Sequence, residues 1–172
     1  MVPAQDLAIR FARGRYAAHH RPRGEGEMEK SSFKPAGTWA TPWASVASQG
    51  WRVGDLIFVG GQISMDEQGN VRDVGDFEAQ LRNVMACIEA VLSDAGATLA
   101  DVVKMNAFIA YSGPDEDMWE FWEYQAKLRL SYFDAPGPAM TGIPVPRLGH
   151  PDLLLEIEAL AVAPSSNGQG PR

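Results

Sequence analysis

Apolar side chains recur along this chain in two rhythms, one of period two and one of about 3.6, and the two alternate from Trp43 to Ala163. Ala44–Val53 and Asp55–Gly61 follow the strand rhythm, and Val53-Gly-Asp between them has the composition of a tight hairpin turn. Glu67-Gln-Gly-Asn reads as a further turn. Phe77, Leu81, Val84, Ile88 and Val91 recur in steps of four and three, which puts them on one face of a helix. Asp76 is its expected N-cap and Gly96 its stop. Val102–Tyr111 reads as a strand with Val103, Met105, Ala107 and Ile109 on one face. Ser112-Gly-Pro-Asp-Glu-Asp opens a second helix, with proline in the first turn and acids at the positive end of the dipole. It is expected to run to about Phe133 through Met118, Phe121, Trp122, Gln125 and Leu128, where Pro136-Gly-Pro138 ends it. Two strands follow. The predicted order, β-β-α-β-α-β-β, is an α+β layer: a mixed sheet with two helices on one face.

This regular part is predicted to occupy residues 43–163, after an extension (1–42) and before a flexible tail (164–172) rich in Ser, Asn, Gly and Pro. In the extension, residues 4–18 fit a short amphipathic helix and the rest reads as irregular. Trp39, Trp43 and Trp51 are large enough to require packing across the domain or against a neighbour. Leu153–Ala163 is apolar on both faces, yet helices cover only one. The other face needs a cover, which a symmetric oligomer or the folded-over extension would supply. Pro144 and Pro146 lack N–H groups along one edge of their strand, so that edge cannot be an ordinary central ladder.

Of the 172 residues, 45% are apolar and 22% charged, ordinary values for a globular domain. The formal net charge of −7 argues against a surface that tracks phosphates, so no nucleic-acid partner is expected. No apolar run is long enough to cross a bilayer, and no membrane partner is expected either. Asp6, Arg10 and Arg13 interrupt the apolar residues that a secretion signal would need. The single cysteine, Cys87, excludes an internal disulfide and fits a reducing compartment, so the expected location is cytoplasmic. Cys87 lies in the helical pattern and reads as a buried, inert thiol. The adjacent pair His19 and His20 lacks metal-ligand spacing, and no metal is expected.

The candidate chemistry lies near the end of the chain. Glu156 and Glu158 interrupt an apolar strand and, two residues apart, point to the same face about 6.5–7 Å from one another. Desolvation raises a carboxyl pKa and so makes a general acid or base. The same pattern also fits carboxylates that are paired, or that sit at a subunit seam without doing chemistry. Gly60-Gly61 marks a place where a ligand or another chain approaches the backbone closely.

Several stretches, taken in order, resemble a known family. They are Val53-Gly-Asp-Leu-Ile-Phe-Val-Gly-Gly-Gln-Ile, Gln80 with Asn83, Ala95-Gly-Ala-Thr-Leu-Ala-Asp-Val-Val-Lys104, Pro138-Ala-Met-Thr and Glu156-Ile-Glu-Ala-Leu-Ala-Val. Together they resemble the Rid (YjgF) family over roughly residues 44–163. The resemblance implies a chorismate-mutase-like fold, a barrel-like homotrimer with ligand clefts between subunits, and hydrolysis of reactive enamines and imines, such as 2-aminoacrylate, to 2-keto acids and ammonia without metal or organic cofactor. It also implies that Glu156 positions or activates water, and that Gly61, Gln62 and Thr141 match family positions. This chain departs from the pattern at Met140, where archetypal members carry the arginine that grips the substrate carboxylate. Gly60 stands where the family has serine, and Ala47 near a cleft tyrosine.

The expected function is therefore a Rid-like hydrolase or deaminase acting on an enamine, imine or related small intermediate. Its site is Glu156 with Gly60, Gly61, Gln62, Met140, Thr141 and Arg147, and its substrate is not a simple amino-acid-derived imino acid. The alternative is a non-catalytic small-molecule-binding or regulatory trimer on the same scaffold, and the acidic charge fits a third reading, a ribonuclease, poorly. Arg147 is placed to meet an anion or form a rim salt bridge. His150 has the chemistry to titrate near neutrality or to remain a solvated loop residue. Trp51 and Tyr111 suit either stacking on a planar ligand or core packing.

Overall fold

The computed structural model describes residues 28–40 and 47–163. In chain order the elements are β1 (Lys30–Phe33), β2 (Gly50–Val53), β3 (Leu56–Gln62), α1 (Phe77–Asp94), β4 (Val102–Ala110), α2 (Met118–Leu130), β5 (Ala139–Val145) and β6 (Leu155–Val162). Short 3-10 turns stand before β4 and α2. The strands form one sheet in the order β1-β2-β3-β6-β4-β5, with β4 and β5 parallel and every other pair antiparallel.

Each boundary has a local cause. Gly54, with φ at 60°, makes the two-residue turn that pairs Val53 with Leu56. The Asp76 carboxylate accepts the Ala79 N–H at 2.9 Å and so caps α1. Gly96 takes φ of 77°, which lets Ala97 N–H close onto Leu92 O at 2.8 Å. The apolar face of α1 (Leu81, Val84, Ile88, Val91) is buried together with Ile57, Val59, Met105, Ile109 and Ile157 of the sheet. Phe121, Trp122 and Leu128 of α2 pack against the same core, so both helices lie on one face of the sheet. Cys87 is half-buried, and burial pushes its thiol pKa up, as expected for an inert side chain.

Arg129 is the exception in this layer. It points inward from α2 and is 3% exposed, and its Nε and Nη1 have no hydrogen-bond partner among the described residues. Burial pulls the guanidinium pKa down to about 10. Because buried N–H groups left without an acceptor cost about 1–3 kcal/mol, Arg129→Met is expected to raise stability by about that much. Urea unfolding would read this directly, and a loss of stability would mean that the guanidinium is paired.

The structure differs from the sequence reading at several points. The strand read over Ala44–Val53 is formed only over Gly50–Val53 among the described residues, and α2 ends at Leu130 rather than near Phe133. Lys30–Phe33, read as part of an irregular extension, forms β1 and pairs in register with β2. Val103 does not share a face with Met105, Ala107 and Ile109. Val102 pairs with Ala161 and Lys104 with Leu160, so a bulge inserts Val103 and leaves it 46% exposed while Val102 is buried. Residues 4–18, His19, His20, Trp43 and the tail lie outside the described residues.

The second face of the sheet has its own layout. Trp51 pairs with Phe58 and Phe58 with Leu160, and alongside them Val53 pairs with Leu56 and Leu56 with Val162. Trp51 is 45% and Phe58 47% exposed, so these rows form an apolar patch on one chain. Pro144 lies in β5, which pairs only with β4 and ends the described sheet, as its missing N–H requires.

Candidate active site at the glycine bulge of β3

The site begins with an irregularity in β3. Val59 pairs with Ala159 and Gln62 with Ile157, so Gly60 and Gly61 together face the single residue Glu158. That is a β-bulge, and it re-aims the chain locally. Gly60 N–H bonds Gln49 O at 2.9 Å. The fully buried Gln62 secures the bulge by accepting the Trp39 indole N–H at 2.9 Å and donating to Gly60 O at 3.0 Å. Gly61 faces the Glu156 side chain so closely that a Cβ there would overlap the carboxylate and stand 2.8 Å from its Cδ. Glycine at this position is a steric requirement of where Glu156 sits.

Glu156 and Gly61 line a cavity of about 690 Å³. Trp39 and Ala40 form one wall, Ile63, Met65 and Glu67 a second, and Gly149, His150 and Leu153 a third. The buried amide of Gln80 and the half-buried amide of Asn83 hold the walls in place. Gln80 of α1 donates to Asp152 O and accepts Leu154 N–H, both at 2.9 Å, which pins the segment carrying Leu153. Asn83 donates to Ser64 Oγ at 3.0 Å and Asp73 Oδ2 at 2.6 Å, which pins the loop after β3. In that loop Asp66 receives the Gln68 and Asn70 N–H groups, and Gly37 N–H donates to Glu67 Oε1 at 2.7 Å.

Burial pushes the Glu156 carboxyl pKa up, and the negative charge of neighbouring Glu158 adds to the effect. Both carboxylates lie on the face away from the helices, as the two-residue spacing predicts, but they have different surroundings. Glu158 accepts from Asn106 Nδ2 at 2.7 Å; Lys104 Nζ in turn donates to Asn106 Oδ1 at 2.6 Å and Thr141 Oγ1 at 2.7 Å. Glu158, Gly60, Phe58, Lys104 and Asn106 line a separate hollow of about 290 Å³.

Of the residues singled out in the sequence, the fold brings Gly61, Glu156 and His150 to one cavity, with Gln62 buried behind it. Gly60 borders the second hollow, and Thr141 is tied to Lys104 at its edge. Met140 packs against the core, and Arg147 is exposed beyond the end of β5. Tyr111 donates its hydroxyl to Pro114 O at 2.6 Å and stacks near Phe121, and Trp51 belongs to the apolar patch. Sequence reasoning did not place Trp39 and Glu67 at the site. Both come from irregular segments, and only the indole's need for a packing partner hinted at Trp39.

Gly61→Ala is expected to leave the fold intact, because the flexible end of Glu156 can yield, but to displace its carboxylate. Melting temperature should change little, while any activity that depends on Glu156 should fall by about a hundredfold; an unchanged Glu156-dependent activity would show that the position of its carboxylate is immaterial.

A single mixed sheet with two helices on one face is the Rid (YjgF) fold. The chain belongs to that family: residues 40–163 match the family model described as endoribonuclease L-PSP. It is 36% identical over 114 residues to a RutC family protein of Pyrococcus abyssi, covering 66% of this chain and 84% of the relative. The solved YjgF gene product of Escherichia coli is similar at 29% identity with a TM-score of 0.54, covering 67% of this chain and 87% of that one. RidA from an Antarctic Psychrobacter is similar at 25% identity with a TM-score of 0.62, covering 76% of this chain and 97% of that one. Among the described residues no helix is long and apolar enough to cross a membrane, and no group of three or more His, Cys, Asp or Glu could hold a metal ion.

Proposed function

We propose that this chain is a hydrolase of the Rid type that cleaves the C=N bond of an imine, or of an enamine after tautomerisation, in a cleft completed by neighbouring copies in a homotrimer. The observation that carries the reading is the Glu156 carboxyl group. It is partly desolvated, raised in pKa and set over Gly61 in a cavity large enough for a small molecule. In its ionised form Glu156 accepts a proton from water as the oxygen attacks the carbon of a protonated imine. The resulting carbinolamine takes that proton on nitrogen; the C–N bond then breaks as Glu156 accepts the hydroxyl proton, and ammonia leaves and takes that proton from Glu156 as ammonium. In sum, one iminium ion and one water give one carbonyl compound and one ammonium ion. No step draws on a metal or an organic cofactor.

Met140 offers no charge to a substrate carboxylate and packs against the core, so the substrate is not a simple imino acid. The description of the family model as an endoribonuclease suggests another substrate class. An RNA-cleaving groove would need cations along its backbone path, whereas neither Lys nor Arg lines this cavity among the described residues. The same absence favours a second reading, a trimer that binds a ligand without chemistry.

The two readings separate on ammonia release from a panel of imines generated in situ by amine and amino acid oxidases. Hydrolysis at least about tenfold above buffer for carboxylate-free imines is expected; no acceleration with any member of the panel would leave the binding reading.

A further inference from the structure

The charge around the Glu156 cavity is one-sided. Glu156 enters from β6, and a second carboxylate, Glu67, enters from the loop after β3. Glu67, an exposed residue at the rim of the cavity, is held there by the Gly37 N–H, which occupies one oxygen, Oε1. The remaining ionisable lining residue, His150, accepts the Asp152 N–H at Nδ1 and lies 3.7 Å from the Asp152 carboxylate, so its surroundings are acidic as well. The cation of the neighbouring hollow, Lys104, is engaged with Asn106 and Thr141. Trp39, Met65 and Leu153 supply an aromatic and aliphatic lining.

An anion entering this space would meet two carboxylates and no compensating lysine or arginine among the described residues. A cation would gain from both carboxylates. We propose that the cavity selects a positively charged, carboxylate-free ligand, an iminium or ammonium ion bearing an apolar substituent, with Glu67 as the counter-charge that sets this specificity. The inference rests on the hydrolase reading of the same cavity, because the protonated imine is the reactive form there. It assigns Glu67 to charge selection and Glu156 to water. The apolar substituent lies against Trp39 and Met65, which a hydrated ammonium alone would not engage.

Three probes of nearly equal shape and different charge test the proposal: benzylammonium, benzyl alcohol and benzoate, titrated calorimetrically into the intact oligomer at neutral pH. Benzylammonium is expected to bind at least about tenfold more tightly than benzyl alcohol, with benzoate weakest. Glu67→Gln keeps an acceptor for the Gly37 N–H and should weaken benzylammonium by about tenfold while leaving benzyl alcohol unchanged. Glu67→Lys should reverse the order in favour of benzoate. Benzoate binding as well as benzylammonium, or a preference untouched in both variants, would overturn the proposal. If the cation preference holds but no imine is turned over, the ligand class stands and the hydrolase reading fails. If Glu156-dependent turnover coexists with tightest binding of benzoate, the hydrolase reading stands and the ligand class fails.

Discussion

Glu156→Gln is expected to abolish imine hydrolysis and, in the same molecule, to make the folded chain more stable at neutral pH. The loss follows from the chemistry, since an amide cannot take the proton of the attacking water. A fall of about a hundredfold to ten-thousandfold in kcat is the usual weight of a general base. The gain follows from the sign of the pKa shift. Burial, and then the charge of Glu158, raise the Glu156 carboxyl pKa in the folded chain. Between the ordinary glutamate value and the raised one, the folded chain holds a proton that the unfolded chain has released. Stability therefore falls as pH rises through that window, and the deficit persists at neutral pH. Glutamine carries no charge and escapes it. A thermal melt and an ammonia assay on the same preparation read both effects. Full activity in the variant would eliminate the mechanism, whereas a lower melting temperature would mean that the carboxylate has a stabilising partner in the assembled protein. The active form is the ionised one, so wild-type activity should rise with pH on an acid limb above the ordinary glutamate range. Glu158→Gln removes the like charge but keeps an acceptor for Asn106, and should move that limb to lower pH.

How far the site could be read from sequence depended on the range of the interactions that build it. The extent of α1, its Asp76 cap and its Gly96 stop follow from side chains a few positions apart, and the structure has them where the pattern puts them. The shared face of Glu156 and Glu158 follows from strand period alone. β1 gave no such signal, because Lys30-Ser-Ser-Phe is an edge strand with only Phe33 partly buried, so no alternation marks it. The facing of Val103 failed for a different reason. A bulge is a property of two paired strands, and the β4 sequence by itself keeps an unbroken period of two. At Gly60-Gly61 the residue type announced a close approach but not the partner. That partner is Glu156, nearly a hundred positions away, and only the β3/β6 register brings the two together. Glu67 and Trp39 lie at the far end of this scale. They are loop residues whose place in the cavity depends on Gln62, Asn83 and the Gly37 N–H acting at once.

Phe58→Asp is expected to break the proposed trimer into single chains and to remove the proposed activity, while each chain keeps its fold. Phe58 stands at the centre of the apolar row that runs from Trp51 through Phe58 to Leu160. That row lies on the face no helix covers, so the described chain leaves Trp51 and Phe58 about half in water. Burying a phenylalanine side chain contributes about 1.5–3 kcal/mol. A carboxylate in its place adds the cost of an unpaired charge in the proposed apolar seam, and the proposed threefold symmetry would repeat that loss at every copy. In the isolated chain the same side chain is half exposed, so the aspartate meets water there and the helix-side core of Ile57, Val59 and Ile157 is undisturbed. Light scattering on the eluted protein should therefore report the mass of one chain, with a cooperative thermal transition retained and ammonia release lost, because the proposed cleft needs a neighbour to close it. A variant that stays trimeric would place the seam elsewhere on the surface. A monomer that hydrolyses imines at the wild-type rate would show that one chain suffices, and that the cavity over Gly61 works without a second copy.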